Sequence, residues 1–326
     1  MIVPEYWAEA RLQHRSHRRS ITVRRFGWSD DSPAAAQAHA DARACEALER
    51  VLAGEPLRRR EPKVAYNGAE GVPIREEIVQ RHGDTVVSRN GYGALCLNTP
   101  DVLFADVDFS DEAGGWLRLT VFGVLVAAAI AFGMLTQSHG WGVAAVVVAL
   151  LFGSVLAHLL HRWSVKMRGG PERIARRRVA AFVAANPDWH LRVYRTPAGL
   201  RVLAMHRRFD PASDEAANLF EALGTDPLYA RMCRRQHCFR ARVSPKPWRI
   251  GIGRHLRPRP GVWPVSPERM PERRRWVEDY EQAARGHAAC RFVEALGSIR
   301  SVDATAERVM VLHDDLCRAR QALPIA

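Results

Sequence analysis

Two aspartates give the first chemical signal. The stretch "VLFADVDF" (residues 102–109) reads as a buried strand whose last turns carry Asp106 and Asp108. On a strand, residues i and i+2 project from one face, so the two carboxylates converge while Val107 and Phe109 face the opposite layer. Converging carboxylates suit Mg or Mn, hard cations that take oxygen ligands and bridge to the phosphates of a substrate. A strand end capped by polar residues in water would look the same, so the pair needs company to become a site.

That company is basic. In "VYRTPAGLRVL" the residues Arg195, Thr196, Gly199 and Arg201 cluster at a turn. Two guanidinium groups there could hold a phosphate in a fork. Further on, between residues 227 and 267, there is no acidic residue and there are ten basic ones. Arg240, Arg242, Lys246 and Arg249 lie at the centre of this run, interleaved with Phe239, Trp248 and Trp263. Cations with aromatics suit nucleic-acid backbones and stacked bases, and they also suit anionic headgroups. Cys233, His237 and Cys238 are close in the same run, but zinc wants four ligands, usually in two close pairs, and no second pair is evident. Phosphate loops of the Gly-x-x-x-x-Gly-Lys type, Gly-x-Gly-x-x-Gly turns and Gly-x-Ser-x-Gly elbows are missing.

The charge distribution agrees with an anionic partner for the C-terminal half. The chain of 326 residues carries a net charge of +13. Residues 1–115 balance to −3, whereas residues 162–326 balance to +15. An arginine-rich proteome could produce part of that excess on its own. The six cysteines are scattered, which excludes a disulfide framework and suits a reducing compartment. The opening "MIVPEYWAEARLQHRSHRR" lacks the apolar core of a secretory signal.

Between these halves lies a segment of different character. Residues 119–161 contain no Asp, Glu, Lys or Arg. A membrane span needs about 20 apolar residues, and this stretch holds two, at 116–135 and 141–160, separated by "TQSHG". Trp116, Trp141 and Trp163 fall at the segment ends, where indole rings favour the interface, and Arg118 can snorkel outward. Seven basic residues between 162 and 178 follow the second span, so that flank is expected on the cytoplasmic side. A hairpin returns to the side it left. Both termini are then cytoplasmic, in a bacterial inner membrane, with membrane lipids as the first partner.

Around the hairpin the pattern predicts mixed structure. "SITVRRFGWS" reads as a strand. "DSPAAAQAHADARACEALERVLAG" reads as a helix capped by Ser32, with Pro33 in its first turn and Gly54 stopping it. Asn67-Gly68 marks a turn, and a short helical piece is expected around Glu76 and Glu77. "DTVVSRNGYGALCLNTPDVLFADVDF" predicts three strands. After the hairpin come a helix over "PERIARRRVAAFVAANP", a β-hairpin over "WHLRVYRTPAGLRVLAMHRRF" and a capped helix over "DPASDEAANLFEALGTD". A charged helix over "SPERMPERRRWVEDYEQAARGHAACRFVEALG" and a short one near "ERVMVLHDDLCRARQAL" close the chain. The organisation expected is 1–115 as one half of an α+β domain, 116–161 as the membrane hairpin, 162–266 as the other half with the basic segment, and 267–326 as C-terminal helices. The fold class is an α+β domain, RRM- or ferredoxin-like, interrupted by the hairpin.

Two resemblances bear on function. "YNGAEGVPIREEIV", "SRNGYGALCLNTPDVLFADVDF" and "CFRARVSPKPWR" resemble a family of uncharacterised bacterial proteins described only as transmembrane, which implies no activity. The order of motifs is also similar to the catalytic core of the archaeo-eukaryotic primase superfamily. There a strand ends in Asp-x-Asp for metal, and a strand-turn-strand unit with a histidine holds nucleotide phosphate. Asp106 and Asp108 match the first element; "YRTPAGLRV" matches the second, with Arg201 where the histidine would stand, and the superfamily's later acidic residue has no counterpart. The resemblance implies metal-assisted binding of a nucleotide or nucleic acid, with Asp106 and Asp108 on Mg or Mn. Under this reading Arg195, Thr196, Arg201, Arg240, Arg242, Lys246 and Arg249 contact phosphate or nucleic acid. Two other classes fit locally: a non-catalytic scaffold holding an acidic partner or anionic lipid, and a membrane-associated glycosyltransferase with an Asp-x-Asp metal site.

Overall fold

The computed structural model describes residues 3–16, 19–62, 72–109, 114–259 and 261–326. The chain is mixed α/β. The first unit is a long hairpin, β1 (Tyr6–Ser16) and β2 (Arg19–Ser29), against which α1 (Pro33–Leu52) packs. The Ser32 hydroxyl accepts from Ala35 N, Pro33 fills the first turn, and Gly54 leaves the helix at φ +92°. Ala36, Ala40, Ala44 and Ala47 form the buried stripe. Their small size matters, because a Cβ on Gly27 of β2 would lie 2.1 Å from Ala40 N. The strand β1 has no counterpart among the sequence expectations, and the Asn67-Gly68 turn lies outside the described residues.

Four strands follow before the apolar segment: β3 (Glu77–His82), β4 (Thr85–Arg89), β5 (Leu95–Thr99) and β6 (Phe104–Asp108). The helical piece expected around Glu76 is absent. Glu76 lies in irregular structure and Glu77 opens β3, where pairing with β4 satisfies the backbone.

Next come α2 (Gly115–Leu135) and α3 (His139–Met167). Both are long and apolar enough to cross a membrane. They pack on each other, with Gly133 against Gly142 and Gly153 under Phe122, the close approach that small residues allow. Only 11% and 17% of their apolar windows are buried, so they are not core helices of the domain.

The remaining elements are α4 (Pro171–Ala185), β7 (His190–Arg195), β8 (Gly199–Ala204), α5 (Asp214–Leu223), α6 (Pro227–Gln236), β9 (Phe239–Arg242), α7 (Met270–Ala284), β10 (Arg291–Gly297) and α8 (Ala304–Cys317). The C-terminal part is therefore not all helical. The expected charged helix stops at Ala284, and "RFVEALG" becomes a strand because it pairs antiparallel with β7.

Two four-stranded antiparallel sheets result, in the orders β10-β7-β8-β6 and β3-β4-β5-β9. Each is built from both sides of the apolar helices: β6 pairs with β8, and β5 pairs with β9. The main hydrophobic core lies around the first sheet and includes Val107, Leu191, Val202, Val179, Leu219 and Val309. On the face opposite Val107, register places Asp106, Arg201 and Tyr194 side by side. Gly199 is required for that register, since a Cβ there would sit 2.1 Å from Val107 O. The sheet orders differ from a single RRM-like sheet.

Candidate functional site

The site begins with two strand edges. β6 ends the first sheet and β9 ends the second. An edge strand carries unpaired backbone groups that must be satisfied somehow. Here side chains do it. The Tyr229 hydroxyl, from α6, lies 3.0 Å from Phe104 O and 2.9 Å from Arg240 O. The Arg201 guanidinium, from β8, donates to Arg242 O at 2.7 Å. The two edges are thus held beside each other by side chains, and a cavity of about 640 Å³ opens there. That size falls within the roughly 300–1,000 Å³ usual for small-molecule sites.

Most of the residues singled out from sequence line this cavity: Asp106, Asp108, Thr196, Arg201, Arg240, Arg242, Lys246 and Arg249. Their states differ. Arg201 is 2% exposed and grips Asp106 with two bonds, Nε to Oδ1 at 2.7 Å and Nη2 to Oδ2 at 3.0 Å. Burial alone would lower its pKa, but Asp106 outweighs that and holds it above the ordinary arginine value. Both Asp106 oxygens are therefore engaged by a cation already. Arg240 is likewise committed: it pairs with Glu76 at 2.7 Å and donates to Asn98 Oδ1 at 3.0 Å. Glu76 also accepts from Ser88, which extends this buried network. Arg195 does not line the cavity. It pairs with Glu172 at the start of α4 and lies over the Phe109 ring.

Three cations remain with unmet capacity. Arg242 and Arg249 each bury an Nη1 that has no hydrogen-bond partner among the described residues. Lys246 has no ion-pair partner there; its ammonium lies 5.4 Å from the Trp248 ring. Burial, then Arg242 and Arg249, depress the Lys246 pKa. Burial and then Arg242 also lower that of Arg249. Facing them, Asp108 is raised above the usual carboxylate value by loss of water, then by Asp106 and Asp226. The cavity thus sets a crowded carboxylate wall against a crowded cationic wall.

The cavity lining also includes groups that the sequence reading did not assign to the site, among them Asp226 and Tyr92. Asp226 caps α6, accepting from Leu228 N at 2.8 Å, and stands one residue before the acid-free run. Tyr92, in the turn between β4 and β5, packs edge-on against Trp248 at 5.2 Å. Neither could be linked to Asp108 by spacing alone.

A second cluster was also missed. Cys290, His313 and Cys317 are fully buried, and their ligand atoms lie within 4.8 Å of one another, so they could hold a metal ion. The Cys317 contact, and then His313, hold the Cys290 thiol well below its ordinary value. His313 is pushed down by burial but raised overall by Cys290 and Asp314. The local signal was the i, i+4 spacing of His313 and Cys317 on one helix face; Cys290 joins only through the fold. Cys233 and Cys238 are buried instead, with burial raising Cys238 to about 11. All six cysteines are free.

Comparison with protein-family models, curated proteins and solved structures found no match.

The depressed Lys246 pKa gives a stability test. A base whose folded pKa is lowered costs stability while protonated. That cost is present below the folded pKa and fades as pH rises through it toward the ordinary 10.5. Lys246→Met is expected to raise the thermal midpoint near neutral pH, with the gain shrinking at alkaline pH. An unchanged or lowered midpoint at neutral pH would mean that the cluster is not strained.

Proposed function

We propose that this is a membrane-anchored protein whose cytoplasmic domain binds a phosphate-bearing ligand of nucleotide size in the cavity between β6 and β9. The observation that carries the reading is the cationic wall of Arg242, Lys246 and Arg249, with two buried guanidinium nitrogens unpartnered. A buried donor without a partner costs about 1–3 kcal/mol, and a phosphate supplies several acceptors at once. Guanidinium groups match phosphate bidentately, and lysine adds a point charge. Tyr92 lines the same cavity, braced edge-on by Trp248, and its ring supports stacking of a base in this reading.

A divalent cation of the Mg or Mn type fits the opposite wall. Asp108 is repelled by Asp106 and Asp226, and a cation there relieves that repulsion while bridging to the phosphate. Asp108 is the principal ligand in this reading, because Asp106 is held by Arg201 on both oxygens. The arrangement supports binding; it contains no assigned nucleophile or general base, and no reaction is proposed.

The membrane reading rests on the exposed apolar surface of α2 and α3. Large exposed apolar surface is not tolerated in water without a partner. Because both sheets join strands from before and after the hairpin, both flanks share one side of the bilayer. The basic flank after α3 supports a cytoplasmic side for them. Six residues lie between Asp108 and Gly115, a reach of at most about 25 Å over the seven Cα steps, which supports a cavity near the membrane surface.

Two measurements test this. Calorimetric titration of the detergent-solubilised chain with Mg-nucleotide and with pyrophosphate should give saturable heat. Lys246→Ala with Arg249→Ala should weaken binding at least roughly 10- to 100-fold, the equivalent of about 1.5–3 kcal/mol for one charged hydrogen bond. Asp108→Ala should remove the metal-dependent part alone. Absence of heat with either ligand contradicts the binding reading. Separately, alkaline carbonate should leave the chain in the membrane pellet; release into the supernatant contradicts the anchor.

A further inference from the structure

The cluster of Cys290, His313 and Cys317 lies apart from the cavity lining, and nothing in the proposed ligand site uses it. Its geometry is that of a metal centre. His313 and Cys317 project from one face of α8, and Cys290 stands immediately before β10. His313 Nε2 is 3.5 Å from Cys317 Sγ and 3.9 Å from Cys290 Sγ. In tetrahedral zinc sites the Zn–S and Zn–N bonds of about 2.3 and 2.0–2.1 Å place sulfur and nitrogen about 3.6 Å apart. The cluster meets that spacing within a few tenths of an ångström.

The surroundings fit as well. His313 Nδ1 is 3.2 Å from Asp314 Oδ1; with Nδ1–H donating to that carboxylate, the Nε2 lone pair faces the two sulfurs. A carboxylate behind a ligating histidine is the usual support of a zinc site. Asp314 is itself paired with Arg192 at 3.0 Å. Among the described residues outside the cluster, Arg201 Nη1 approaches Nε2, at 3.3 Å. That nitrogen already has its 2.7 Å bond to Arg242 O, so a metal can take the Nε2 lone pair without leaving the guanidinium unpartnered. Two thiolates and a neutral imidazole also balance a divalent charge, which a buried site requires.

We propose that Cys290, His313 and Cys317 bind one zinc-class cation, with a solvent molecule as the fourth ligand. Among the described residues no fourth Cys, His, Asp or Glu belongs to the group. The ion fastens α8 to the start of β10. Through His313 it also steadies Arg201, the side chain that holds Asp106 at the cavity and Arg242 across the two strand edges. With three protein ligands the fourth position is open, unlike a closed four-ligand structural site; the ion's role in joining α8 to β10 is independent of whether the cavity binds phosphate.

The test is metal content of the full chain purified in detergent, followed by replacement with Co²⁺. Wild type should carry near-stoichiometric zinc, and the cobalt form should show thiolate-to-cobalt charge-transfer absorption with the intense visible bands of tetrahedral coordination. Cys290→Ser with Cys317→Ser should lose both, whereas Asp108→Ala should keep both. The cobalt spectrum of wild type decides the matter even where the cysteine variants fold poorly. Wild type with only trace zinc and no thiolate–cobalt band would overturn the proposal. So would metal content retained in the double cysteine variant and lost in Asp108→Ala, which would put the ion at the cavity instead.

Discussion

The Arg201–Asp106 ion pair is the interaction on which the rest of the domain depends. Arg201 is nearly inaccessible to water, and an uncompensated buried charge is among the most costly features a fold can contain. Three partners resolve it. Asp106 neutralises it from the neighbouring strand, Arg242 O accepts from it across the gap between sheets, and His313 meets it from α8. One side chain thus ties β8, β6, β9 and α8 together. The cross-strand register that places Asp106 opposite Arg201 in turn needs Gly199 against Val107.

The cavity follows from this arrangement. Two sheets meet edge to edge at β6 and β9, and side chains from β8 and α6 take the place of a backbone ladder. The gap between the edges is lined by what the ends of β6 and β9, and the residues just after β9, present. On one side that is Asp108; on the other it is Arg242, Lys246 and Arg249. Pairing has consumed Arg201, Arg240 and Arg195 elsewhere. Arg242, Lys246 and Arg249 have no ion-pair partner among the described residues, and the lowered pKa values of Lys246 and Arg249 reflect burial first and the neighbouring Arg242 second.

Local chemistry made much of this legible in the sequence. Ser32, Pro33 and Gly54 mark both ends of α1 because capping depends on neighbouring residues only. The charge-free stretch marks α2 and α3 for the same reason. β10 was read as helix because Phe292, Val293, Leu296 and their neighbours fit either period, and only the pairing with β7 decides between them. β1 was missed because its exposed residues are polar and its partner strand supplies the order. In the site, the residue types were legible and their roles were not. Arg201 reads as a phosphate contact beside a turn, yet Asp106, 95 residues away, holds it. The Cys290, His313 and Cys317 cluster shows the same limit, since 23 residues and a strand separate the first from the second.

The central claim is that a phosphate-bearing ligand occupies the gap between the two sheet edges. Hydrogen–deuterium exchange of the detergent-solubilised chain, with and without saturating Mg-nucleotide, tests it most directly. The account predicts slowed exchange for amides in residues 242–250 and at the end of β6, with α1 and β1 unchanged. Exchange left unaltered in both of those segments, or slowed only at distant surfaces, would contradict it.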